Sequence, residues 1–242
     1  MYDQKSMTDK KLAKKSSDTD VSLFLEKVAK ITLAKEQRAN GRLVFGMDAT
    51  ASRQLSWDTT SHLQGDMFLE TTANGGLQVQ LVYFRGFKQF ICSDWVGNAQ
   101  ELMTLMTGVS CLAGETQIRK LLKHSLNENS KSPIDAIIFI GDAVEEDVDV
   151  LGKLSGQLGI LGVPIFIFQD GSDSIAEYCF KQITQLSNGA YAKFDVNSKE
   201  TLKELLRAVA VFTAGGKRAL QRLGKREGGE ILKISNQISK VD

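Results

Sequence analysis

The chain has 242 residues, 42% of them hydrophobic and 24% charged, which is enough for one large domain with a sizeable core or for two small ones. One large domain is expected. With 30 Lys and Arg against 29 Asp and Glu, no overall field draws the chain to nucleic acid or to an anionic membrane, so any partner must be chosen by a local site. Cys92, Cys111 and Cys179 lie far apart without a CxxC pair, and His62 and His124 do not complete a zinc tetrahedron with them; reduced, partly buried thiols are expected.

The first residues, MYDQKSMTDKKLAKKSSDTD, are charged and contain no apolar stretch of the secretory type, and a flexible arm is expected over 1–19. From Asp20, a plausible N-cap, the positions Val21, Leu23, Phe24, Val28 and Ile31 recur at helical spacing, predicting a helix over 20–40. Leu43 to Asp48 is a short apolar run that ends abruptly in polar residues, as a buried parallel strand does. Leu55, Leu63, Met67 and Phe68 mark a helical face from Arg53 to about Thr72, stopped at Asn74-Gly75-Gly76. Leu77 to Arg85 and Phe87 to Asp94, separated by Gly86, read as a hairpin at one sheet edge. Helices are expected over Ala99–Thr107 and Gln117–Leu126, then a buried strand from Ile134 to Ile140 ending in Gly141-Asp142. The alternation repeats, with helices over Val148–Leu161 and Ile175–Leu186, strands over Val163–Phe168 and Ala190–Phe194, and a final helix over Lys199–Phe212. The longest apolar runs are far shorter than the roughly twenty residues that span a bilayer, and a cytoplasmic protein is expected.

Strands alternating with helices predict an α/β fold: a doubly wound, mostly parallel central sheet with one antiparallel edge strand and helices on both faces. The domain is expected over 41–213, followed by a basic, polar tail over 214–242 that is helical in part. In such sheets ligands collect beyond the carboxyl ends of the strands. Three of those ends carry unusual polar sets: Asp48-Ala49-Thr50-Ala51-Ser52, Gly114-Glu115-Thr116 and Gly141-Asp142. Side chains that alternate along an extended turn point the same way, so Asp48, Thr50 and Ser52 can converge on one point. Hydroxyls with two carboxylates suit a hard cation such as Mg²⁺, with Mn²⁺ or Ca²⁺ as substitutes, whereas zinc prefers nitrogen and sulfur.

Here the sequence resembles the von Willebrand factor A family, whose metal-ion-dependent adhesion site reads DxSxS, then a Thr in a later loop, then an Asp after a strand. DATAS supplies Asp48, Thr50 and Ser52, GETQI supplies Thr116, and FIGDA supplies Asp142, in the family's order. Thr50 stands where Ser is commoner and keeps the hydroxyl; Gly141-Asp142-Ala143 replaces the usual Thr-Asp-Gly and keeps the carboxylate. Without a disulfide pattern or a secretory-type stretch, a protein bacterial in style is expected; the resemblance implies a Rossmann-like domain that binds a metal through these five residues. It also implies that an Asp or Glu of a partner protein fills the open coordination position. A binding module rather than an enzyme is therefore expected, with no small-molecule substrate, no membrane and no nucleic acid. Arg53, Trp57 and Glu115 lie beside these motifs and are the candidate partner contacts, although a salt bridge is the more ordinary use of Arg53.

The rival is a haloacid dehalogenase-like phosphatase, in which Asp48 would be the phosphoryl acceptor and Gly141-Asp142-Ala-Val-Glu-Glu-Asp147 would match the GDxxxxD magnesium motif. That family normally has a carboxylate where Thr50 stands. Elsewhere the expectations are plain. Ala214-Gly215-Gly216-Lys217 lacks the spacing of a P-loop. Glu145, Glu146, Asp147 and Asp149 read as a solvated helix start. His62 and His124 each fall in a helix without a nearby thiol or acid in a diagnostic arrangement, and surface or supporting roles rather than catalysis are expected of them. The basic tail from Lys217 to Arg226 reads as a solvated helix.

Overall fold

The computed structural model describes residues 40–63, 67, 76–194 and 199–239; the expected arm over 1–19 and nearly all of the expected helix over 20–40 lie outside them. In chain order the elements are β1 (Gly41–Asp48), a single 3-10 turn (Ala51–Arg53), α1 (Gln54–Leu63), β2 (Leu77–Arg85), β3 (Gln89–Val96), α2 (Ala99–Met106) and α3 (Ile118–Lys131). They continue with β4 (Ala136–Gly141), α4 (Val148–Ile160), β5 (Ile165–Asp170), α5 (Ser174–Leu186), β6 (Ala190–Phe194), α6 (Lys199–Glu227) and α7 (Gly229–Ser239). The expected helix from Arg53 is described to Leu63 and again at Met67, which is helical and buried in the core.

Among the described residues there is one sheet of six strands in the order β3-β2-β1-β4-β5-β6. All neighbours are parallel except β2 and β3, which pair antiparallel as the hairpin around Gly86 predicts. Alternation along β1 explains the two cores. Leu43, Phe45 and Met47 enter the layer built with Trp57, Leu102, Met106 and the apolar faces of α6 and α7, while Val44 faces the layer formed by α3, α4 and α5. Every residue of β1 is buried, as a strand covered on both faces must be. The approach of α3 is close: a Cβ at Gly46 would fall 2.6 Å from the Leu121 side chain.

The C-terminal region differs from the solvated tail expected from its charge. α6 runs through the expected boundary at 213/214, turning at Gly216, whose φ of 68° departs from the helix. Beyond it Ala219, Leu220, Leu223, Ile231, Ile234 and Ile238 are all buried in the same core as β1. The basic residues between them hide a stripe of apolar side chains at helical spacing. α7 also shields the β6 edge: Tyr191 N–H donates to Gln237 Oε1 at 2.9 Å and Gln237 Nε2 donates back to the Tyr191 carbonyl at 3.0 Å. A side-chain amide thus occupies hydrogen-bonding positions that would otherwise invite another strand. Among the described residues no helix is long and apolar enough to cross a membrane.

Candidate metal centre

β1 and β4 are neighbours, yet the chain leaves β1 for β2 on one side and returns to β4 on the other. The strand order reverses between them, which opens a crevice beyond their carboxyl ends. Met47 pairs with Ile140, so Asp48 and Gly141-Asp142 leave adjacent strands side by side. Asp48 is 1% exposed, and its Oδ1 accepts the Thr50 N–H at 2.7 Å. This local turn holds the DATAS segment out of the helix that follows. Ser52 Oγ then donates to Asp142 Oδ2 at 2.9 Å, joining two segments 90 residues apart.

The third segment is held by backbone bonds. Leu112 N–H donates to the Ala49 carbonyl at 3.0 Å, and Gly86 N–H donates to the Leu112 carbonyl at 3.2 Å. Gly114 lies so tightly against the hairpin turn that a Cβ there would sit 2.0 Å from the Gly86 carbonyl oxygen. Thr116 follows, with its N–H donating to Glu145 Oε2 at 2.9 Å and its Oγ1 accepting the Glu145 N–H at 3.1 Å. Asp48, Thr50, Ser52, Thr116 and Asp142 consequently line one cleft of about 260 Å³, together with Ala51, Ala113, Gly114, Ala143 and Glu145.

The donor chemistry of that cleft fits a hard divalent cation. Its polar side chains are carboxylates and hydroxyls, with no nitrogen or sulfur ligand among the described residues lining it, and among those residues no group of three His, Cys, Asp and Glu side chains is placed to hold a metal. Ser52 gives its proton to Asp142 and keeps its lone pairs, and Thr116 uses only one acceptor position on Glu145, so both hydroxyl oxygens retain capacity to coordinate.

The other expected contacts separate. Trp57 is not at the mouth of the site: it is 1% exposed, packs edge-on against Tyr83 at 5.3 Å and donates Nε1–H to the Met106 carbonyl at 3.2 Å. Helical spacing from Ser52 turns it inward to the core, where it cannot meet a partner. Arg53 ends the 3-10 turn beside the cleft, and its side chain lies outside those described. Glu115 is exposed and lines a neighbouring cleft of about 290 Å³ that shares Thr116 and includes Phe87, Arg119, Lys120, Glu146 and Asp147.

The acidic run after β4 is not merely a solvated helix start. Glu145 braces Thr116, and Glu146 accepts from Ile118 N–H at 2.5 Å and Arg119 N–H at 2.9 Å, capping α3 from across the cleft. Burial pushes the Glu146 carboxyl above its ordinary range, against the backbone N–H bonds that lower it. Asp147 caps its own helix through the N–H groups of Asp149 and Val150. Glu145 is the lining residue that motif reading missed; the signal was its place three residues after Asp142 among more acids than one helix start requires.

The architecture defines a doubly wound α/β domain with an oxygen-lined cleft at its switch point, and this is the fold of von Willebrand factor A domains. No protein-family model matches the sequence, and comparison with curated proteins finds no significant match. Solved structures do match. A von Willebrand factor type A protein from Catenulispora acidiphila aligns over 73% of this chain and 43% of its own, with TM-score 0.60 and 14% identity. The VWA domain of SpRpn10 aligns over 73% of this chain and 97% of its own, with TM-score 0.52 and 13% identity. Proximal thread matrix protein 1 from the mussel byssus, in a structure with a zinc-occupied MIDAS motif, aligns over 72% of this chain and 47% of its own, with TM-score 0.53 and 16% identity. The chain thus spans less than half of the first and third of these proteins. At such identities the likeness is one of fold.

Proposed function

We propose that this domain is a binding module in which Asp48, Thr50, Ser52, Thr116 and Asp142 hold Mg²⁺, with Mn²⁺ or Ca²⁺ as substitutes, and that the site receives an Asp or Glu of a partner protein. The observation that carries the reading is the convergence of five oxygen-bearing side chains from three distant segments on one cleft. When bound, the cation supplies the positive charge that a partner's carboxylate meets in place of water. The chain's own residues supply the rest. The Asp48 turn presents Thr50 and Ser52 together, Asp142 orients the Ser52 hydroxyl, and Glu145 holds Thr116 at the wall. The zinc found in the mussel protein's site makes zinc a necessary arm of any metal test. A reducing compartment such as the cytoplasm suits the three free thiols.

The phosphatase alternative gains nothing from the geometry. Its second magnesium ligand, Asp147, faces the neighbouring cleft and spends Oδ1 on its own helix, and Thr50 brings no proton-transferring carboxylate.

Titration calorimetry of the full chain with Mg²⁺, Mn²⁺, Ca²⁺ and Zn²⁺ tests the metal step, with Asp48→Ala as the control and circular dichroism to verify folding. The expected result is binding by wild type, lost in Asp48→Ala with the spectrum unchanged. Capture of partner proteins with and without EDTA tests the second step, and capture indifferent to both EDTA and Asp48→Ala would overturn it. Magnesium-dependent hydrolysis of phosphate esters that Asp48→Asn eliminates would favour the enzyme instead.

A further inference from the structure

On the far side of the sheet from α6, His124 has a thiol neighbour that its place in the sequence does not indicate. His124 on α3 lies against the antiparallel edge strand with its Nδ1 3.6 Å from Cys92 Sγ and its Nε2 2.9 Å from Gln80 Oε1. The network sets the tautomer. Gln80 Nε2 donates to the Ser93 carbonyl at 3.0 Å, so the amide end facing His124 is the oxygen, which only accepts. His124 Nε2 must therefore carry the proton, and in the neutral ring the Nδ1 lone pair faces the Cys92 thiol. Phe90 packs edge-on against the imidazole at 6.0 Å, and Gln80 is buried, so the ring is held on two sides. Cys92 itself is exposed, unlike the half-buried Cys111 and the buried Cys179.

We propose that Cys92 is a base-assisted nucleophilic thiol and a site of mixed-disulfide formation with low-molecular-weight disulfides, His124 taking the thiol proton and Gln80 acting as the positioning residue. In the step, Cys92 Sγ attacks one sulfur of the reagent; the new S–S bond forms as the reagent's own S–S bond breaks. The thiol proton passes to His124 Nδ1, and the imidazolium then returns it to the departing thiolate. Cys92 is oxidised, the released half is reduced, and no other oxidant is required.

The electrostatics support a neutral resting pair rather than a preformed thiolate. Although the residue is exposed at the surface, partial desolvation of its thiol, with Glu128 adding to it and Lys131 opposing, pushes Cys92 up to about 11. Burial also holds His124 below its ordinary range, against the pull of Glu128. Arg42, reaching from β1, shares Glu128 at 3.9 Å. A thiol this reluctant to ionise reacts near neutrality only if a neighbouring base accepts its proton, and His124 is neutral and aimed at it.

The test is labelling of the full chain with oxidised glutathione and with 4,4′-dithiodipyridine from about pH 6 to about pH 9, each cysteine followed by peptide mass spectrometry. Cys92 is expected to react ahead of Cys111 and Cys179, at a rate that levels off once His124 is neutral. His124→Gln should slow Cys92 by about tenfold or more at neutral pH and convert its profile to the climb of about tenfold per pH unit that a bare thiolate shows. Gln80→Leu should move the profile in the same direction, which a merely structural role would not do. Equal rates in wild type and His124→Gln, or Cys111 reacting first, would overturn the proposal. If His124→Gln does not fold, the wild-type profile decides, because a steady climb through about pH 9 marks an unassisted thiol.

Discussion

Ser52 shows how one short side chain ties two distant segments of the cleft together. It is exposed, so truncation to Ala leaves no cavity, yet its hydroxyl bonds Asp142 across 90 residues of chain. On the proposed metal reading, Ser52→Ala should weaken Mn²⁺ binding by about tenfold or more while the unfolding midpoint in urea stays within error, because removing a proposed ligand and its orienting bond acts on affinity rather than on packing. Glu128 is the opposite case, a nearly buried carboxylate accepting from Trp95 Nε1 at 3.3 Å and paired with Lys131 at 2.7 Å. Burial raises its pKa, but the bonds from Lys131 and Trp95 outweigh it and the carboxyl lies below its ordinary range. A depressed carboxyl stabilises the fold above its unfolded pKa, and that stability drains away as pH falls through the folded value. His124, also depressed, loses its share as pH falls from the ordinary histidine range, whereas Glu146, raised by burial, works in the opposite sense. Acidification in urea should therefore destabilise wild type more steeply than Glu128→Gln, and at neutral pH that variant should lose about 2–3 kcal/mol, the worth of hydrogen bonds to a charged group.

Among the elements, the loop between α2 and α3 bears on the site most directly, because its position rather than its composition places Thr116. Bonds to Ala49, just after β1, and to the hairpin turn hold it, and Gly114 permits contact with the Gly86 backbone that no side chain tolerates. Gly114→Ala should push the loop from the hairpin at a cost of about 1–3 kcal/mol, the range for overpacking. Its effect on metal affinity should exceed its effect on stability, and calorimetry beside urea unfolding reads both. The hairpin and the parallel strands were legible in advance, since β-formers around Gly86 and apolar runs ending in polar residues are local signals. The loop's seat was not, because it depends on contacts between segments roughly thirty to sixty residues apart.

At the scale of the whole molecule, the C-terminal helices complete the core. Ile231, Ile234 and Ile238 of α7 are buried beside Leu220 and Leu223 of α6. Full burial of an aliphatic side chain contributes about 1.5–3 kcal/mol, so removing α7 forfeits a large part of the roughly 5–15 kcal/mol that holds a domain together. A chain ending at Glu227 should lose cooperative thermal unfolding by calorimetry and expose hydrophobic surface to dye; a sharp transition at the wild-type temperature would show that α7 is dispensable.

Taken alone, the sequence determined the alternation of strands and helices, the antiparallel edge, and the order along the chain of Asp48, Thr50 and Ser52 after β1, Thr116 before α3 and Asp142 after β4. Those properties follow from periods of two and 3.6 residues and from turn chemistry, which act within a few residues. Only the tertiary structure decided that Trp57 turns into the core, that Glu145 braces the Thr116 loop and Glu146 caps α3, that the basic tail hides an apolar face, and that His124 meets Cys92. Each depends on which segments become neighbours once the sheet closes, and a one-dimensional pattern carries no distance between residues far apart along the chain.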